Sequence, residues 1–305
     1  MKKIINFLVL SVFLFFLIDF FYENKIYIEI FKKIKFQYIL AFILLNLISY
    51  FLKSFINIYI FESINITLSF SEAFNLSFKN TVGNLLGPLK AGSGYKLHYM
   101  FKNYDVSPTM YISTNTAYAV ISIFINFLIL FLLIVFELNI INLSILQIFL
   151  ILISLFSIIV LTINFLTKNI DKIQFNFLKN FISGFISLFI NKNLFFKLTL
   201  LSLIFTTLNI SILYFVFLMY EFEITFVNTV LYSTLGSFTS LVKITPGNIG
   251  FYELIMISTS SFHGIQTGQI LNSSIFIRMI SYFTITLIFI YNFLKNLLNS
   301  REKQI

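Results

Sequence analysis

The chain has 305 residues, 58% of them hydrophobic and only 11% charged, with a net charge of +9. A soluble domain carries about 25% charged residues, so this composition excludes a soluble enzyme and a disordered chain and leaves an integral membrane protein. Apolar runs of about 20 residues fit spanning helices, whereas barrel strands would be about 10 residues long and alternate in polarity. The excess of 21 basic over 12 acidic residues reads as membrane topology, because Lys gathers in the loops that flank apolar spans. No nucleic-acid partner is expected. Cys is absent and the only histidines are His98 and His263, which excludes disulfides, thiolate sites and Cys nucleophiles and argues against a His-based metal cage. No metal and no cofactor are expected. The abundance of Lys, Asn, Ile and Phe fits an AT-rich genome, so the 42 Phe are not read as an aromatic site.

In chain order, Lys2 and Lys3 precede an apolar run from Ile4 to Ile18 that lacks a small-residue cleavage pattern. It reads as an uncleaved first span, 4–21. Span 2 covers 36–60. A more polar segment, 71–89, leads into a basic stretch at 90–104. Span 3 covers 109–136 and span 4 covers 144–166. The stretch 167–197 is Lys-rich, and its Ile170, Ile173, Phe177, Phe181, Phe185 and Leu188 fall at helical spacing. That pattern predicts an amphipathic connector in the membrane interface, too short for a catalytic domain of at least about 50 residues. Span 5 covers 198–219. A second interrupted segment, 226–264, precedes span 6 at 270–294. The fold class is therefore all-α: a polytopic helical bundle with six full spans and two broken or re-entrant segments, forming a single membrane domain over 1–305.

Orientation follows from Lys. The stretches 90–104, 167–197 and 295–305 are Lys-rich and are placed in the cytoplasm, whereas the links 137–143 and 220–225 contain no Lys and lie outside. The first loop, with Lys25, Lys32, Lys33 and Lys35, fits an outside N-terminus better than an inside one.

Two segments carry the functional signal. The first reads Asn84-Leu85-Leu86-Gly87-Pro88-Leu89-Lys90-Ala91-Gly92-Ser93-Gly94-Tyr95-Lys96, and the second Lys243-Ile244-Thr245-Pro246-Gly247-Asn248-Ile249-Gly250-Phe251-Tyr252-Glu253. In each, an apolar run meets Pro, then two glycines, then an ionisable residue. Asn80-Thr81-Val82 and Asn228-Thr229-Val230 precede them. Pro stops a helix and Gly lets the chain turn. A helix that restarts exposes free N–H groups and the positive end of its dipole. Inside a membrane such backbone persists only when buried in protein or facing a wet cavity. Paired interruptions point to a transport site, and phosphate is a natural ligand for such helix ends. Charged residues in the spans support this, since Lys53, Lys79, Lys243, Glu253 and Arg278 each cost a few kcal/mol unless paired or hydrated. Glu253 and Arg278 are the expected pair. Without a ligand the two segments read as structural kinks.

These motifs resemble the lysylphosphatidylglycerol synthase transmembrane-region family, or flippase-like domain. Its Pro-x-x-x-Gly-Glu-x-x-Arg pattern is matched by Pro88, Gly92 and Lys96, with Ser93 in the Glu position. Its later Pro-Gly-(Gly/Asn)-x-Gly-x-x-Glu pattern is matched by Pro246, Gly247, Asn248, Gly250 and Glu253, and Arg278 stands where the family often has Arg. The resemblance implies a polytopic bundle with re-entrant segments and an inside N-terminus, and that arrangement is adopted over the Lys count in the first loop. It also implies kinship with flippases of aminoacylated phosphatidylglycerol. The chain ends about ten residues after its last span, so the aminoacyl-transferase domain of those relatives is not expected within it. Other relatives accompany glycosyltransferases that use lipid-linked sugars. The function expected is a lipid flippase or transporter of the inner (plasma) membrane, moving an anionic phospholipid or a lipid-linked precursor. Its head group would meet Pro88, Gly92, Lys96, Lys243, Pro246, Gly247, Asn248, Gly250, Glu253 and Arg278. The alternative is an accessory subunit or enzyme in lipid-linked sugar chemistry. Expected partners are membrane lipids and a glycosyltransferase or lipid-modifying enzyme. No catalytic residue is assigned.

Overall fold

The computed structural model describes residues 36–86, 90–138, 175–239, 246–248 and 250–302. Spans 1 and 4 of the sequence reading lie outside these residues. The described chain forms nine α-helices and no strand: α1 (Phe36–Glu62), α2 (Phe70–Leu86), α3 (Ala91–Tyr104), α4 (Pro108–Leu138), α5 (Asn176–Ile190), α6 (Lys192–Met219), α7 (Phe226–Phe238), α8 (Phe251–Ser260) and α9 (Thr267–Glu302). A 3₁₀ turn at Pro246–Asn248 precedes α8 and another at Ser261–His263 follows it. Four of the described helices, α1, α4, α6 and α9, are long and apolar enough to cross a membrane. They correspond to spans 2, 3, 5 and 6.

Short polar residues punctuate these helices. Ser69 accepts the Glu72 N–H ahead of α2, Ser107 that of Met110 ahead of α4, and Thr225 that of Asn228 ahead of α7. Asn191 accepts the N–H groups of Asn193 and Leu194 and starts α6. Each satisfies donors that the first helical turn leaves without partners. Asp105, at φ 53°, closes α3 by sending its N–H back to Met100 and Phe101.

The 27 residues of α1 rise about 40 Å, more than the hydrocarbon thickness of about 30 Å. Leu40, Leu44, Ile48, Phe51 and Phe55 form an exposed apolar stripe, while Phe42, Tyr50, Ile56 and Ile60 are buried on other faces. A helix apolar both inside and outside suits a lipid surround. On α6 the buried stripe includes Ser202 and Thr206, small polar residues that let neighbouring membrane helices approach closely.

The element order repeats. A long helix, a short hairpin and a long helix occur as α1, α2/α3, α4 and again as α6, α7/α8, α9. Each hairpin has its own core. Phe61, Leu76, Met100 and Tyr111 pack around the first, and Phe217, Tyr232, Met256 and Ile270 around the second. Helices α2 and α3 cross with their backbones in contact. A Cβ on Gly92 would lie 1.9 Å from the Asn80 carbonyl oxygen, and one on Gly83 would lie 2.5 Å from the Gly92 Cα. Only hydrogen fits at either position.

The stretch 167–197 differs from the expected connector. Residues 167–174 lie outside the described chain. The rest is not one amphipathic helix but α5 and the first turns of α6, divided at Asn191. Phe185 and Leu188, expected on the interface-facing side, pack with Ile56, Ile60, Ala117 and Leu198 of α1, α4 and α6, whereas Phe177 is exposed. The reason is Gly184, whose missing side chain lets α5 lie against Met110 and Ser113 of α4.

Candidate functional site

The tips of the two hairpins meet. The turn Pro246–Asn248 packs on α2, and a Cβ on Gly247 would stand 3.5 Å from the carbonyl oxygen of Leu85 and 3.3 Å from Arg278 Nη1. Gly247 also has φ 58°, a conformation that side chains disfavour. Beside this seam lies a cavity of about 500 Å³, lined by residues of α1, α2, α3, α4, α6, α7, α8 and α9. Lys53, Lys96 and Arg278 are its cations.

Lys96 is 4% exposed. Its ammonium donates to the amide oxygen of Asn57 and, at 3.4 Å, to that of Asn115. It lies 5.0 Å from the ring centre of Phe61 and 5.7 Å from that of Tyr111. Asn57 in turn donates to Ser77 Oγ at 2.6 Å, and Asn115 to the Tyr111 carbonyl at 2.7 Å. The amides are thereby turned with their oxygens toward the ammonium. No carboxylate among the described residues pairs with Lys96. A buried cation held only by neutral dipoles and aromatic faces keeps an attraction for anions.

Arg278 is in a different state. Its Nε and Nη2 donate to Glu253 Oε1 at 2.9 and 2.7 Å, its Nη1 to the Gly247 carbonyl at 2.7 Å, and its Nη2 to that of Asn248 at 3.4 Å. The expected Glu253–Arg278 pair is thus in contact, with the side chains 12% and 15% exposed. Glu253 also accepts Ser274 Oγ at 3.2 Å, and through Oε2 the Gly250 N–H at 2.7 Å. One carboxylate both caps α8 and neutralises the arginine, while the arginine satisfies two carbonyls freed by the break.

This geometry changes the role expected of the second break. The N–H of Gly250 is not presented to an anion, because the carboxylate of Glu253, three residues on, reaches back and accepts it at 2.7 Å, which is one half of a capping box. A Cβ on Gly250 would meet nothing within 4 Å, and what requires glycine is φ 87°. Asn248 is buried; its Nδ2 donates to the Thr239 carbonyl at 2.7 Å, and its Oδ1 has no partner. Pro88 and Lys243 lie outside the described residues, and of Pro246 only the backbone is described. Gly92 holds the α2–α3 crossing and does not line the cavity.

Sequence reading missed Asn57, Ser77 and Asn115, because nothing in their own segments marks them. Asn57 lies in the last turns of an apolar helix, and a polar amide within a spanning run was the available signal. Lys53, one of the charged residues within the spans, lines the cavity with its ammonium near the rings of Tyr50 and Phe205. Lys79 lies apart from the cavity and donates to the Tyr95 hydroxyl at 3.1 Å.

An all-helical bundle with apolar flanks, two interrupted hairpins and a polar cavity between them defines an integral membrane protein. The chain belongs to the lysylphosphatidylglycerol synthase TM region family, which it matches over residues 3–288. That membership ties it to membrane lipid. No curated protein matches it as a relative.

Proposed function

We propose that the protein moves a lipid across the inner membrane, with the anionic head group passing through the cavity between the hairpins and the acyl chains remaining in the bilayer. The observation that carries this reading is Lys96, a buried ammonium in a cavity of about 500 Å³ with no carboxylate partner among the described residues. Burying a cation in a lipid-embedded bundle costs free energy, and such residues mark substrate and ion pathways. The volume suits a small polar group, since binding sites commonly measure about 300–1,000 Å³. The anion subsite is therefore at the first hairpin. The Glu253–Arg278 pair shapes the second hairpin and lends only what its carboxylate leaves over. In this reading the C-terminus and the 167–197 stretch face the cytoplasm, as their Lys content directs.

The test is lipid scrambling in proteoliposomes with a dithionite-quenched fluorescent phosphatidylglycerol. Wild-type protein should expose the inner-leaflet probe. Lys96→Met, with an unchanged size-exclusion profile, should lower the rate at least about tenfold, the effect of losing about 1.4 kcal/mol of transition-state attraction. A Lys96→Met protein as fast as wild type would remove the basis of the proposal.

A further inference from the structure

The neutral shell around Lys96 depends on which way its amides turn. An Asn side chain has nearly the same shape in either direction, but one end accepts and the other donates. With its oxygen toward Lys96 it solvates an ammonium. With its nitrogen there it repels an ammonium and can donate only to a neutral amine. Burial favours the neutral amine, so the direction of the amide bears on whether Lys96 carries charge. Asn115 is fixed within its own helix, because its Nδ2 donates to the Tyr111 carbonyl one turn back at 2.7 Å. Asn57 is anchored on a different helix: its Nδ2 donates at 2.6 Å to Ser77 Oγ of α2.

Ser77 is suited to this by where its own proton goes. Its hydroxyl donates to the Ala73 carbonyl at 2.8 Å, which leaves Oγ an acceptor toward Asn57. The chain of donors therefore runs one way across three helices, from Lys96 to Asn57, from Asn57 to Ser77 and from Ser77 to Ala73. The reversed chain is one bond poorer. Ser77 would give its proton to the amide oxygen and abandon Ala73, the amide nitrogen would turn to Lys96, and Lys96 would have to be a neutral amine to accept it. Ser77 is 1% exposed and Asn57 7%, so bulk water competes little for either group.

Resting on the reading of Lys96 as the head-group anchor, we infer that Ser77 is a positioning residue: acting through Asn57, it holds Lys96 in the ammonium form that attracts an anion. Ser77 gives nothing to the anion itself, since an oxygen whose proton is committed elsewhere repels it. Asn at position 57 has a matching part. Asp there would have the same size, pair with Lys96 and cancel its charge. The other ionisable groups nearby are engaged elsewhere or lie across the cavity. Tyr111 of α4 turns its ring to Lys96 and donates its hydroxyl to the Ser93 carbonyl of α3. On α2, Glu72 accepts from Tyr99 and Tyr104, and Lys79 donates to Tyr95. Lys53, Tyr118, Tyr252 and Arg278 line the same cavity, and Arg278 is paired with Glu253.

The experiment titrates the binding of short-chain phosphatidylglycerol to the full chain in detergent, by microscale thermophoresis, from about pH 5 to about pH 10. Binding should be lost as pH rises through the titration of Lys96, because only the ammonium attracts the phosphate. Ser77→Ala removes the bond to Ala73 that favours the charged chain. One hydrogen bond is worth about fivefold in an equilibrium constant, so the midpoint should fall by about 0.7 pH unit, with the affinity at the acid end unchanged. Ser54→Ala, which deletes a buried hydroxyl bonded to the Tyr50 carbonyl away from the cavity, should leave the midpoint in place. Adding Ser77→Ala to Asn57→Ala should shift nothing further. Asn57→Asp should melt no lower than wild type and bind at least about tenfold more weakly at neutral pH. A midpoint that Ser77→Ala does not move, a Ser77 effect that persists in the Asn57→Ala background, or an Asn57→Asp protein that binds like wild type overturns the inference and leaves Lys96 as the anchor. If Lys96→Met binds like wild type, the head-group reading falls with it.

Discussion

Glu253→Gln separates the two tasks of this carboxylate from its shape. Gln is nearly isosteric, yet whichever way its amide turns, the nitrogen meets a donor. On one side is the Gly250 N–H, which Oε2 now accepts at 2.7 Å, and on the other the guanidinium, which Oε1 accepts at 2.7 and 2.9 Å. Loss of a helix N-terminal cap costs about 1 kcal/mol. Leaving a mostly buried arginine without its counter-charge costs about 3 kcal/mol. Because the remaining Gln oxygen can keep the Gly250 cap, the arginine term dominates, and about 3 kcal/mol lowers the melting temperature of a chain of this size by about 6 °C. The assay is thermal unfolding in detergent at a fixed scan rate, followed by intrinsic tyrosine fluorescence. A second effect runs the other way: the released guanidinium adds a full positive charge to the cavity, so phosphatidylglycerol should bind more tightly to Glu253→Gln than to wild type. A wild-type melting temperature would refute the double role of Glu253. Exchanging the residues, Glu253→Arg with Arg278→Glu, should not restore stability, although a simple ion pair would allow it. Gly250 needs an acceptor at 253, and the carbonyls of Gly247 and Asn248 need a donor at 278.

Gly92→Ala places a methyl group 1.9 Å from the Asn80 carbonyl oxygen, and Gly83→Ala is nearly as close. Each should destabilise by about 3 kcal/mol or more, seen as loss of the monodisperse size-exclusion peak. Gly94→Ala, with nothing within 4 Å of the new methyl, should be neutral or up to about 1 kcal/mol stabilising. Lys96→Met should melt no lower than wild type, since replacing a buried charge by an apolar residue of similar volume is often neutral or stabilising, while head-group binding falls; a large drop in melting temperature would make Lys96 a structural residue. A single Cys at Lys179 should react with an impermeant maleimide only in inverted vesicles, and labelling in intact cells would reverse the proposed orientation.

The spanning helices were legible in the sequence because burial in lipid demands an unbroken apolar run. Span 2 was read as 36–60 and is Phe36–Glu62; span 3 was read as 109–136 and is Pro108–Leu138. The hairpins were legible from Pro and Gly, and the Glu253–Arg278 pair from the energy of leaving either charge alone in the bilayer. What escaped was convergence. Lys96, Asn57 and Asn115 belong to three helices, and only packing brings them together. The contact of Gly83 with Gly92 escaped for the same reason, since the two glycines lie on different helices. Gly250 was assigned to ligand approach because Pro-Gly-rich breaks suggest open backbone; the structure gives its N–H to a side chain three residues on.

A passage wide enough for a lipid head group is also wide enough for hydrated sodium or a chain of water carrying protons, and such a leak would dissipate the membrane potential. In the proposed function the cavity is that passage, and the ammonium of Lys96, unmatched by any described carboxylate, lines it. A monovalent cation approaching within 4 Å meets about 4 kcal/mol of repulsion at an effective dielectric near 20, enough to lower its occupancy roughly a thousandfold. On the proposed function, the same charge that attracts the head group would insulate the bilayer against the ions that could follow it.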